Sequence, residues 1–513
     1  MPTIRTRRRG RRLGLGLVVA LVATTFTSCD PLLNAVVTVP GMYPAFQSTV
    51  TDYVNRCNPS RPTEVKISAP PGAAVSVAGR RGRGGKYTER INQRYNERFL
   101  IVVTYEGKTT SHYVRCLPPG FPTWKVHGTG EAPQSEFYVT TLINAQFRPN
   151  WPVIFDSNGV PVWWSVPGDP FLTTPLPNGN LATMRISGGM VEQRLDGSTV
   201  RVLDTEGAPS DFHDVLLLPN GNYAMVTAEQ RQCDLSAWGQ PPATCIDHEV
   251  QELTPAGEVV WRWAVDEHIP ITETPPRWRS TPDPTFGAVD PWHFNSIEWT
   301  GDGFLLSFRH LDAVYKVDYA TRTIDWKLGG TRRPESLRVI GDRFFDRGSS
   351  ISGQHDARLQ PDGTITIYDN RSNSSAGRQP RMARYRIDEG ADTATLVHEV
   401  REFVAPESFC CGSTRVLPTG NYVTGWGGTP WFTENKPDGT AVFRLEGSFV
   451  YRAIPLAPGE MSRDAIRAGM DAQFDGAALA GGARRTRPPE VTSSGALGDP
   501  GDRLGVDVQP LPG

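Results

Sequence analysis

One hairpin pattern recurs through the middle of the chain and constrains its fold more than any other feature. Between about residues 123 and 455, short apolar strands alternate with turns of two kinds. The inner turns contain Gly179, Gly221, Gly303, Gly363 and Gly420, and the outer turns contain Gly159, Gly197, Gly257, residues 320–322, residues 388–392 and Gly439. Repeats of about 40 to 60 residues are typical of β-propellers. Six outer turns predict six blades, with five or seven as alternatives because insertions blur the period.

Two other regions flank these repeats. Short alternating strands over residues 29–122 predict a small two-layer β-sandwich. Residues 456–513 begin with a short predicted helix at residues 461–470 and then become rich in Gly, Pro, Arg and Asp, so this tail is predicted to be largely disordered. The predicted fold is therefore all-β, with a six-bladed β-propeller over residues 123–455 preceded by a small N-terminal β-sandwich. The fourth strand of the first blade is expected from the far end of the repeats.

Two insertions interrupt the repeats, at residues 231–248 and 266–289. Long loops in a compact domain are usually lids or binding loops, and the same role is expected here. The tryptophans that follow the outer turns are instead predicted to pack between neighbouring blades, because buried aromatic side chains dominate such cores.

Three histidines occupy the same place in three copies of the repeat. His213 and His355 each precede their inner-turn glycine by eight residues, and His293 precedes its glycine by ten. The first strand of each blade lines the central channel, so these side chains are predicted to converge at one mouth. Asn295 lies two residues after His293, on the same predicted strand face. Arg309 lies on the return strand of that hairpin and is predicted to reach the same mouth.

Such a set of side chains favours a compact oxyanion such as sulfate or phosphate. A guanidinium makes planar bidentate contacts to these groups, and a neutral imidazole can act as a nucleophile. The set therefore predicts group-transfer or hydrolytic chemistry without a metal. A zinc site is the alternative, since imidazole is a common zinc ligand, but the neighbouring Arg309 disfavours a dication. Asp214 and Asp356 directly follow their histidines, so they are predicted to point away and to serve contacts between blades.

The N-terminus predicts export. Six arginines precede an apolar run at residues 13–26, and Thr27, Ser28 and Cys29 follow it. This order is typical of a signal peptide over residues 1–28, and the run is too short to span a membrane. The general pathway is favoured over the twin-arginine route. Cys29 resembles the lipidated cysteine of bacterial lipoproteins, which predicts an extracellular or cell-envelope protein with a lipid anchor; a plain secreted protein is the alternative.

Charge and cysteine content limit the partners further. The formal net charge is −2, and removal of the arginine-rich leader makes the remainder more negative, which disfavours a nucleic-acid partner. An even number of cysteines after Cys29 predicts disulfides in an exported chain. Sequence order favours the pairs Cys57 with Cys116 and Cys233 with Cys245, and leaves the adjacent Cys410 and Cys411 as a vicinal disulfide, with a redox or ligand role, or as a simple rigid turn.

Five short segments in order resemble the bacterial arylsulfotransferase family. They are DFHDV at residues 211–215, HFNSI at 293–297, FRH at 308–310 with YKVD at 315–318, WKLGG at 326–330 and QHDAR at 354–358. The resemblance extends over roughly residues 137–445. It implies a six-bladed propeller that moves a sulfuryl group from a phenolic sulfate ester to a phenolic acceptor, without a nucleotide sulfate donor or any cofactor.

The resemblance also implies roles for individual residues. His355 matches the histidine that attacks the donor sulfate and forms a sulfohistidine intermediate, which gives ping-pong kinetics. His213, His293, Asn295 and Arg309 match residues that hold the sulfuryl group and assist proton transfer. The alternative function is a non-catalytic propeller that binds an anionic ligand or a partner protein, because propellers host many functions. The oligomeric state is left open.

Overall fold

The computed structural model describes residues 35–146, 148–279, 287–346, 351–372 and 378–480, and it is nearly all β. The predicted signal peptide, Cys29 and the chain beyond residue 480 lie outside these described residues. Among the residues described, no helix is both long and apolar enough to cross a membrane.

The N-terminal part consists of two sheets around one apolar core. Its strands are β1 (Val36–Thr38), β2 (Asp52–Asn55), β3 (Thr63–Ala69), β4 (Ala73–Val77), β5 (Gly85–Ile91), β6 (Arg98–Tyr105) and β7 (Lys108–Cys116). One sheet has the order β1-β3-β5 and the other β2-β7-β6-β4. Buried and more exposed residues alternate along β3, β4 and β6, because one face of each strand packs on the shared core and the other faces solvent.

The remaining strands mostly belong to the repeats. They are β8 (Lys125–His127), β9 (Phe137–Ile143), β10 (Trp151–Asp156), β11 (Pro161–Trp164), β12 (Pro170–Pro175), β13 (Leu181–Arg185), β14 (Met190–Gln193), β15 (Thr199–Leu203), β16 (Leu216–Leu217), β17 (Tyr223–Val226), β18 (Glu229–Cys233), β19 (Ala243–Asp247), β20 (Glu249–Leu253), β21 (Val259–Ala264), β22 (Phe294–Trp299), β23 (Gly303–Phe308), β24 (Ala313–Asp318), β25 (Ile324–Gly329), β26 (Arg338–Ile340), β27 (His355–Leu359), β28 (Thr364–Asp369), β29 (Arg381–Asp388), β30 (Thr393–Val400), β31 (Ser413–Val416), β32 (Tyr422–Gly425), β33 (Trp431–Asn435), β34 (Ala441–Glu446) and β35 (Phe449–Pro455). The helices are α1 (Val265–His268), α2 (Arg343–Asp346) and α3 (Arg463–Ala480).

Within the described residues, these strands form six sheets of four or five strands, here called repeat sheets 1 to 6. In order they are β11-β10-β9-β35, β12-β13-β14-β15, β16-β17-β20-β21, β22-β23-β24-β25, β27-β28-β29-β30 with β26 at its edge, and β31-β32-β33-β34 with β8 at its edge. Sheet 1 takes its fourth strand, β35, from the far end of the repeats, as the sequence predicts. Strand β8 likewise joins sheet 6, so both ends of the repeat region are held by distant strands.

The predicted turns and tryptophans occupy the expected places. The inner turns connect the first two strands of sheets 2 to 6, and the outer turns connect the last two strands of the four-stranded core of every repeat sheet. Trp163, Trp261, Trp263 and Trp326 are buried, and each indole N–H donates to the outer-turn region of the next sheet. Their predicted role in packing between sheets is confirmed.

The two insertions in the repeats contact each other. The first forms a separate hairpin of β18 and β19, which makes a bridge from Cys245 to Val289 of the second. Three cysteine pairs stand at disulfide distance, with Cα separations of 5.6 Å for Cys57 and Cys116, 5.8 Å for Cys233 and Cys245, and 3.8 Å for Cys410 and Cys411.

Helix α3 attaches the N-terminal sheets to the repeats. Met470 and Ile466 are buried in the core of repeat sheet 1, while Asp471 accepts hydrogen bonds from Arg98 and Arg115 of the N-terminal sheets. The helix predicted at residues 461–470 is therefore longer, and residues 463–480 of the tail are helical. The length of this helix could not be predicted from composition, because tertiary packing and ion pairs stabilise it.

Candidate active site

The predicted site residues gather where the first strands of repeat sheets 3, 4 and 5 begin. His213 precedes β16, His293 precedes β22, and His355 is the first residue of β27. The imidazole centroids of His213 and His293 lie 5.1 Å apart. His355 is linked to this pair through the ring of Tyr451, which lies 6.0 Å from His213 and 6.5 Å from His355. The structure thus brings together the three histidines that the repeat spacing selects.

Each of two site histidines has a carboxylate partner close in sequence. His213 Nδ1 lies 2.8 Å from Asp211 Oδ1, and His293 Nδ1 lies 2.8 Å from Asp290 Oδ2. The same carboxylates accept the backbone N–H of the two histidines, which fixes each loop. His213 Nδ1 therefore donates to Asp211, and His293 Nδ1 lies at ion-pair distance from Asp290. A carboxylate in this position also stabilises the imidazolium form after a proton is taken up.

Asp290 has a second, buried histidine behind it. His248 Nε2 lies 3.5 Å from Asp290 Oδ1, and its Nδ1 lies 2.8 Å from the carbonyl of Thr227. Burial lowers the pKa of His248, but Asp290 outweighs burial and raises it to about 9. The charges of His293 and His248 hold the pKa of Asp290 well below its ordinary value despite burial. Asp290 is therefore a carboxylate that two histidines share.

Arg309 reaches the same place by a route that differs from the predicted one. Strand β23 ends at Phe308, and Arg309 opens a 3-10 turn whose first N–H donates to the carbonyl of His293 at 2.8 Å. The guanidinium donates to His310 Nε2 at 2.7 Å and to the carbonyl of Phe409 at 2.7 Å. It also lies 4.6 Å from the ring of Trp278. Arg309 is thus held beside His293, just beyond the return strand on which it was expected.

His310 and Trp278 support this arginine. The His310 ring stacks on Trp278 with centroids 4.5 Å apart and lies 4.5 Å from the His293 ring. Because Arg309 donates to its Nε2, His310 Nδ1 carries the hydrogen that is donated to the Asp290 carbonyl at 2.6 Å. Burial, with His293 and Arg309 nearby, lowers the pKa of His310 well below its ordinary value. Trp278 comes from the second insertion, which was expected to carry a binding role.

His355 is held neutral in one orientation. Its Nδ1 lies 2.8 Å from Asn370 Oδ1 and 2.9 Å from the carbonyl of Gly353, so Nδ1 carries the hydrogen. Its Nε2 accepts the backbone N–H of Cys411 at 3.0 Å. Burial, followed by the charge of Arg309, lowers the pKa of His355 well below its ordinary value. The Nε2 lone pair, which a nucleophile needs, is therefore unprotonated at neutral pH.

A short loop, residues 408–412 and here called the cystine loop, connects His355 to Arg309. Besides the Cys411 amide on His355, its Phe409 carbonyl accepts from Arg309, and its Cys411 carbonyl accepts from Asn370 Nδ2 at 2.8 Å. The adjacent Cys410 and Cys411 are at disulfide distance within this loop. The loop therefore contacts the predicted nucleophile, the residue that orients it and the predicted sulfuryl-binding arginine.

The prediction for Asn295 rests on a strand geometry that the structure does not have. His293 has a positive φ of 52° and lies before β22, and the register of β22 shifts between Phe294 and Ser296. Counting two residues along a regular strand therefore does not place Asn295 beside His293. Asn295 is fully buried and donates from Nδ2 to the carbonyl of Gln354 at 2.8 Å, which brings it next to His355.

Asp214 and Asp356 face the interior between the sheets, as predicted. Asp214 accepts hydrogen bonds from Arg358 of sheet 5 at 2.6 Å and from Arg452 of sheet 1 at 2.8 Å. Asp356 pairs with Arg358 and Arg415. We call these five residues the buried ion network. It joins sheets 1, 3, 5 and 6, and two of its members directly follow His213 and His355 in the chain.

Three ligand-type side chains lie close enough together to be compared with a metal site. Asp290, His293 and His310 offer ligand atoms that are all within 4.8 Å of one another. The guanidinium of Arg309 lies on His310 Nε2, and His310 Nδ1 donates to a carbonyl. A cation would have to displace that guanidinium, so the arrangement suits an oxyanion better.

Sequence reasoning missed several residues of this site: Asp211, Asp290, His248, His310, Trp278, Asn370 and Tyr451. Two of them left a signal, since Asp211 and Asp290 precede their histidines by two and three residues. His310 stood in one of the resembling segments without a role. Asn370 and Tyr451 come from distant strands, so only the tertiary fold identifies them.

Taken together, the fold and the site define a nearly all-β protein of repeated sheets whose buried and half-buried histidines, with a half-buried arginine, suit an oxyanion. The family model described as arylsulfotransferase (ASST) matches residues 126–451, more than half of the chain. The chain belongs to the arylsulfotransferase family. Membership supports arylsulfotransferase activity in general, with an aryl sulfate donor and a phenol acceptor as small-molecule partners.

Other comparisons add little about function. No curated protein matches the chain. Solved structures with some similarity include a protein of unknown function from Bacteroides caccae, with 12% identity, 63% of this chain and 99% of that chain covered, and a TM-score of 0.40. A putative 6-phosphogluconolactonase from Bacteroides fragilis has 14% identity, 76% and 99% coverage and a TM-score of 0.33. A catalytically inactive virginiamycin B lyase from Staphylococcus aureus, with quinupristin, has 8% identity, 63% and 88% coverage and a TM-score of 0.32. These scores are too low to carry an argument.

Proposed function

We propose that the protein transfers a sulfuryl group from an aryl sulfate to a phenol through a sulfohistidine on His355, without a nucleotide sulfate donor. The observation that carries this proposal is the state of His355. Its Nδ1–H is held by Asn370, its Nε2 lone pair accepts a single backbone N–H from Cys411, and burial, with the charges of Arg309, His293 and His213 nearby, lowers its pKa. An imidazole in this state is a ready nucleophile for a sulfate ester.

In the first half-reaction, the bond between His355 Nε2 and sulfur forms as the bond between sulfur and the aryl oxygen breaks. Arg309 neutralises charge on the sulfuryl oxygens. The departing phenolate takes a proton from His213 or His293, and Asp211 or Asp290 stabilises that imidazolium beforehand. The positive charge that forms on His355 is stabilised through its Nδ1–H bond to Asn370.

In the second half-reaction, a phenol replaces the departed product. The histidine that gave up its proton accepts the proton of the incoming phenol, whose oxygen attacks sulfur as the bond to His355 breaks. The two half-reactions share one site, which gives ping-pong kinetics. Water in place of phenol would make the same site a sulfatase.

Entry of the donor requires a change at the cystine loop. His355 is only 1% exposed, and the Cys411 amide occupies its lone pair. We infer that the sulfuryl group displaces this one hydrogen bond, a cost of about 1 kcal/mol, and that the freed N–H then donates to a sulfuryl oxygen.

The proposal includes the architecture and location expected from the sequence. The six repeat sheets are proposed to be the blades of a closed six-bladed propeller, with β35 completing the first blade. The protein is proposed to be exported, with Cys29 as a lipid anchor.

A non-catalytic anion-binding role is the second candidate, and the burial of His355 is the observation that favours it. One assay separates the two functions. The purified protein is incubated with 4-nitrophenyl sulfate and a panel of phenols, with no nucleotide sulfate present. The proposed enzyme releases 4-nitrophenol faster when phenol is added and forms the sulfate ester of that phenol. Sulfate binding without release from any donor would favour the binding function instead.

A further inference from the structure

Tyr451 carries a buried hydroxyl that the protein leaves without a partner. This residue of β35 is 1% exposed, and its Oη has no hydrogen-bond partner among the residues that the structure describes. An unsatisfied buried polar group costs roughly 1–3 kcal/mol, and buried hydroxyls in folded proteins are mostly hydrogen-bonded. A hydroxyl without a protein partner at this position suggests that a bound substrate supplies the missing hydrogen bond.

The surroundings of Tyr451 point to the site described above. Its ring lies 6.0 Å from His213 and 6.5 Å from His355, and Phe171 packs on it at 4.6 Å. Its carbonyl accepts the N–H of Gly412 at 2.9 Å, so it also adjoins the cystine loop. The Tyr451 ring is thus near both the proposed nucleophile and a proposed sulfuryl-binding histidine, and the ring of Phe171 that packs on it offers no hydrogen bond.

The hydroxyl is also kept in its donor form. Burial raises the pKa of Tyr451, and the carboxylates of Asp214 and Asp211 raise it further, despite the opposing charge of Arg452. Such a phenol keeps its hydrogen throughout the physiological pH range. It is a poor proton donor, but it is a permanent hydrogen-bond donor in a site from which water is excluded.

We propose that Tyr451 is a further catalytic residue, whose Oη–H donates a hydrogen bond to an oxygen of the sulfuryl group while that group is transferred to and from His355. This inference rests on the proposed function and deepens it. Tyr451 would hold the sulfuryl group from repeat sheet 1, whereas the three histidines come from repeat sheets 3, 4 and 5. The hydroxyl gains its partner only when substrate is bound, which favours the bound and transition states over the empty site.

The test is Tyr451→Phe, which removes the hydroxyl and keeps the ring. Because the hydroxyl has no partner to lose, the thermal midpoint is expected to stay unchanged or rise. The kcat/KM for 4-nitrophenyl sulfate is expected to fall about 100- to 1000-fold, the scale for loss of one preorganised donor. The fall is expected to be similar for aryl sulfates whose phenols have different pKa values, because the contact is to the sulfuryl group and not to the leaving oxygen.

Tyr223→Phe is the matched control. Tyr223 is equally buried, but its hydroxyl donates to Glu192 at 2.5 Å in repeat sheet 2, away from the histidines. Its removal leaves a buried carboxylate short of a donor, so stability is expected to fall while activity per folded molecule stays the same. The two variants should therefore show opposite patterns.

A binding measurement separates this inference from the proposed function. Inorganic sulfate is added to wild type and to Tyr451→Phe, and the rise in thermal midpoint is followed. The inference expects sulfate to stabilise the wild type more than the variant, even if the wild type transferred no sulfuryl group and the proposed function failed. Unchanged kcat/KM and an unchanged sulfate response in Tyr451→Phe would overturn the inference. So would a loss of activity that grows with the pKa of the leaving phenol, since it would place the hydroxyl at the aryl oxygen.

Discussion

The candidate site and the buried ion network meet at the first strands of the repeat sheets, where residues next to each other in the chain belong to different groups. His213 and His355 belong to the site, whereas Asp214 and Asp356, the next residues along the chain, belong to the buried ion network. In the network, every carboxylate has at least two arginine partners. In the site, one imidazole lone pair is held only by a loop amide, and the Tyr451 hydroxyl has no described partner.

This difference teaches how one short segment can serve both stability and function. A network in which every carboxylate has at least two arginine partners fixes the backbone of several sheets at once, because removal of one charge leaves opposite charges in the interior with fewer partners. The Tyr451 hydroxyl, which lacks a described partner, is costly, and on our proposal substrate supplies that partner. The network thus holds the site residues in place although some of their polar groups lack hydrogen-bond partners.

The largest expected effect on stability comes from the network. Arg358→Met removes one arginine partner from each of Asp214, Asp356 and Glu298 and leaves buried carboxylates with less compensating charge, so the free energy of unfolding should fall by about 3–5 kcal/mol. Urea unfolding measures this. Arg384→Met, which breaks the more exposed pair with Asp362, should cost only about 0–1 kcal/mol. Equal losses in the two variants would show that the network is not a special stabilising layer.

The charged histidine behind the site should give stability a distinct pH dependence. The pKa of His248 is about 9 in the folded protein and about 6.5 when unfolded, so its protonated form stabilises fully below pH 6.5. That contribution should be lost as pH rises through 9. Because the distance to Asp290 is a long 3.5 Å, we expect a loss on the order of 2–3 kcal/mol.

The measurement is the free energy of unfolding between pH 6 and 10 for wild type and His248→Gln. The variant should lack the decline that the wild type shows in this window. His310 and His355 have lowered pKa values and the opposite sign, because they destabilise the fold as pH falls below 6.5. Parallel curves for the two proteins would contradict a charged His248.

The smallest expected effect concerns the cystine loop. Replacing Cys410 and Cys411 together by Ser removes the constraint on the peptide whose N–H contacts His355, so kcat should fall about 2- to 10-fold, which is roughly 1 kcal/mol. Steady-state kinetics measures it, with the Cys57→Ser and Cys116→Ser pair of the N-terminal sheets as control. A loop that serves only as a turn would give equal kcat in both double variants.

Much of the fold could be predicted because each repeat is specified by short sequence patterns. Turn glycines and strands of alternating polarity can each be recognised within a few residues. These patterns located the inner and outer hairpins. The length of α3 was missed because its stability comes from distant partners such as Asp52 and Arg98. The amino-acid composition of the helix itself does not indicate such distant contacts.

The candidate site was predictable to the extent that it follows the repeat. Equivalent positions identified His213, His293 and His355, but regular strand geometry failed at Asn295, where the register of β22 shifts. Tyr451 was missed because β35 reaches the site from the far end of the repeats. A residue that lies near the others only because β35 pairs with β9 leaves no local signal.

The most direct test of the central claim is intact mass spectrometry after brief mixing with 4-nitrophenyl sulfate, for wild type and His355→Ala. The account predicts a transient mass gain of one sulfuryl group on the wild type alone, which disappears when phenol is added. A gain that persists in His355→Ala, or nitrophenol release by the wild type without any covalent adduct at early times, would contradict His355 as the nucleophile.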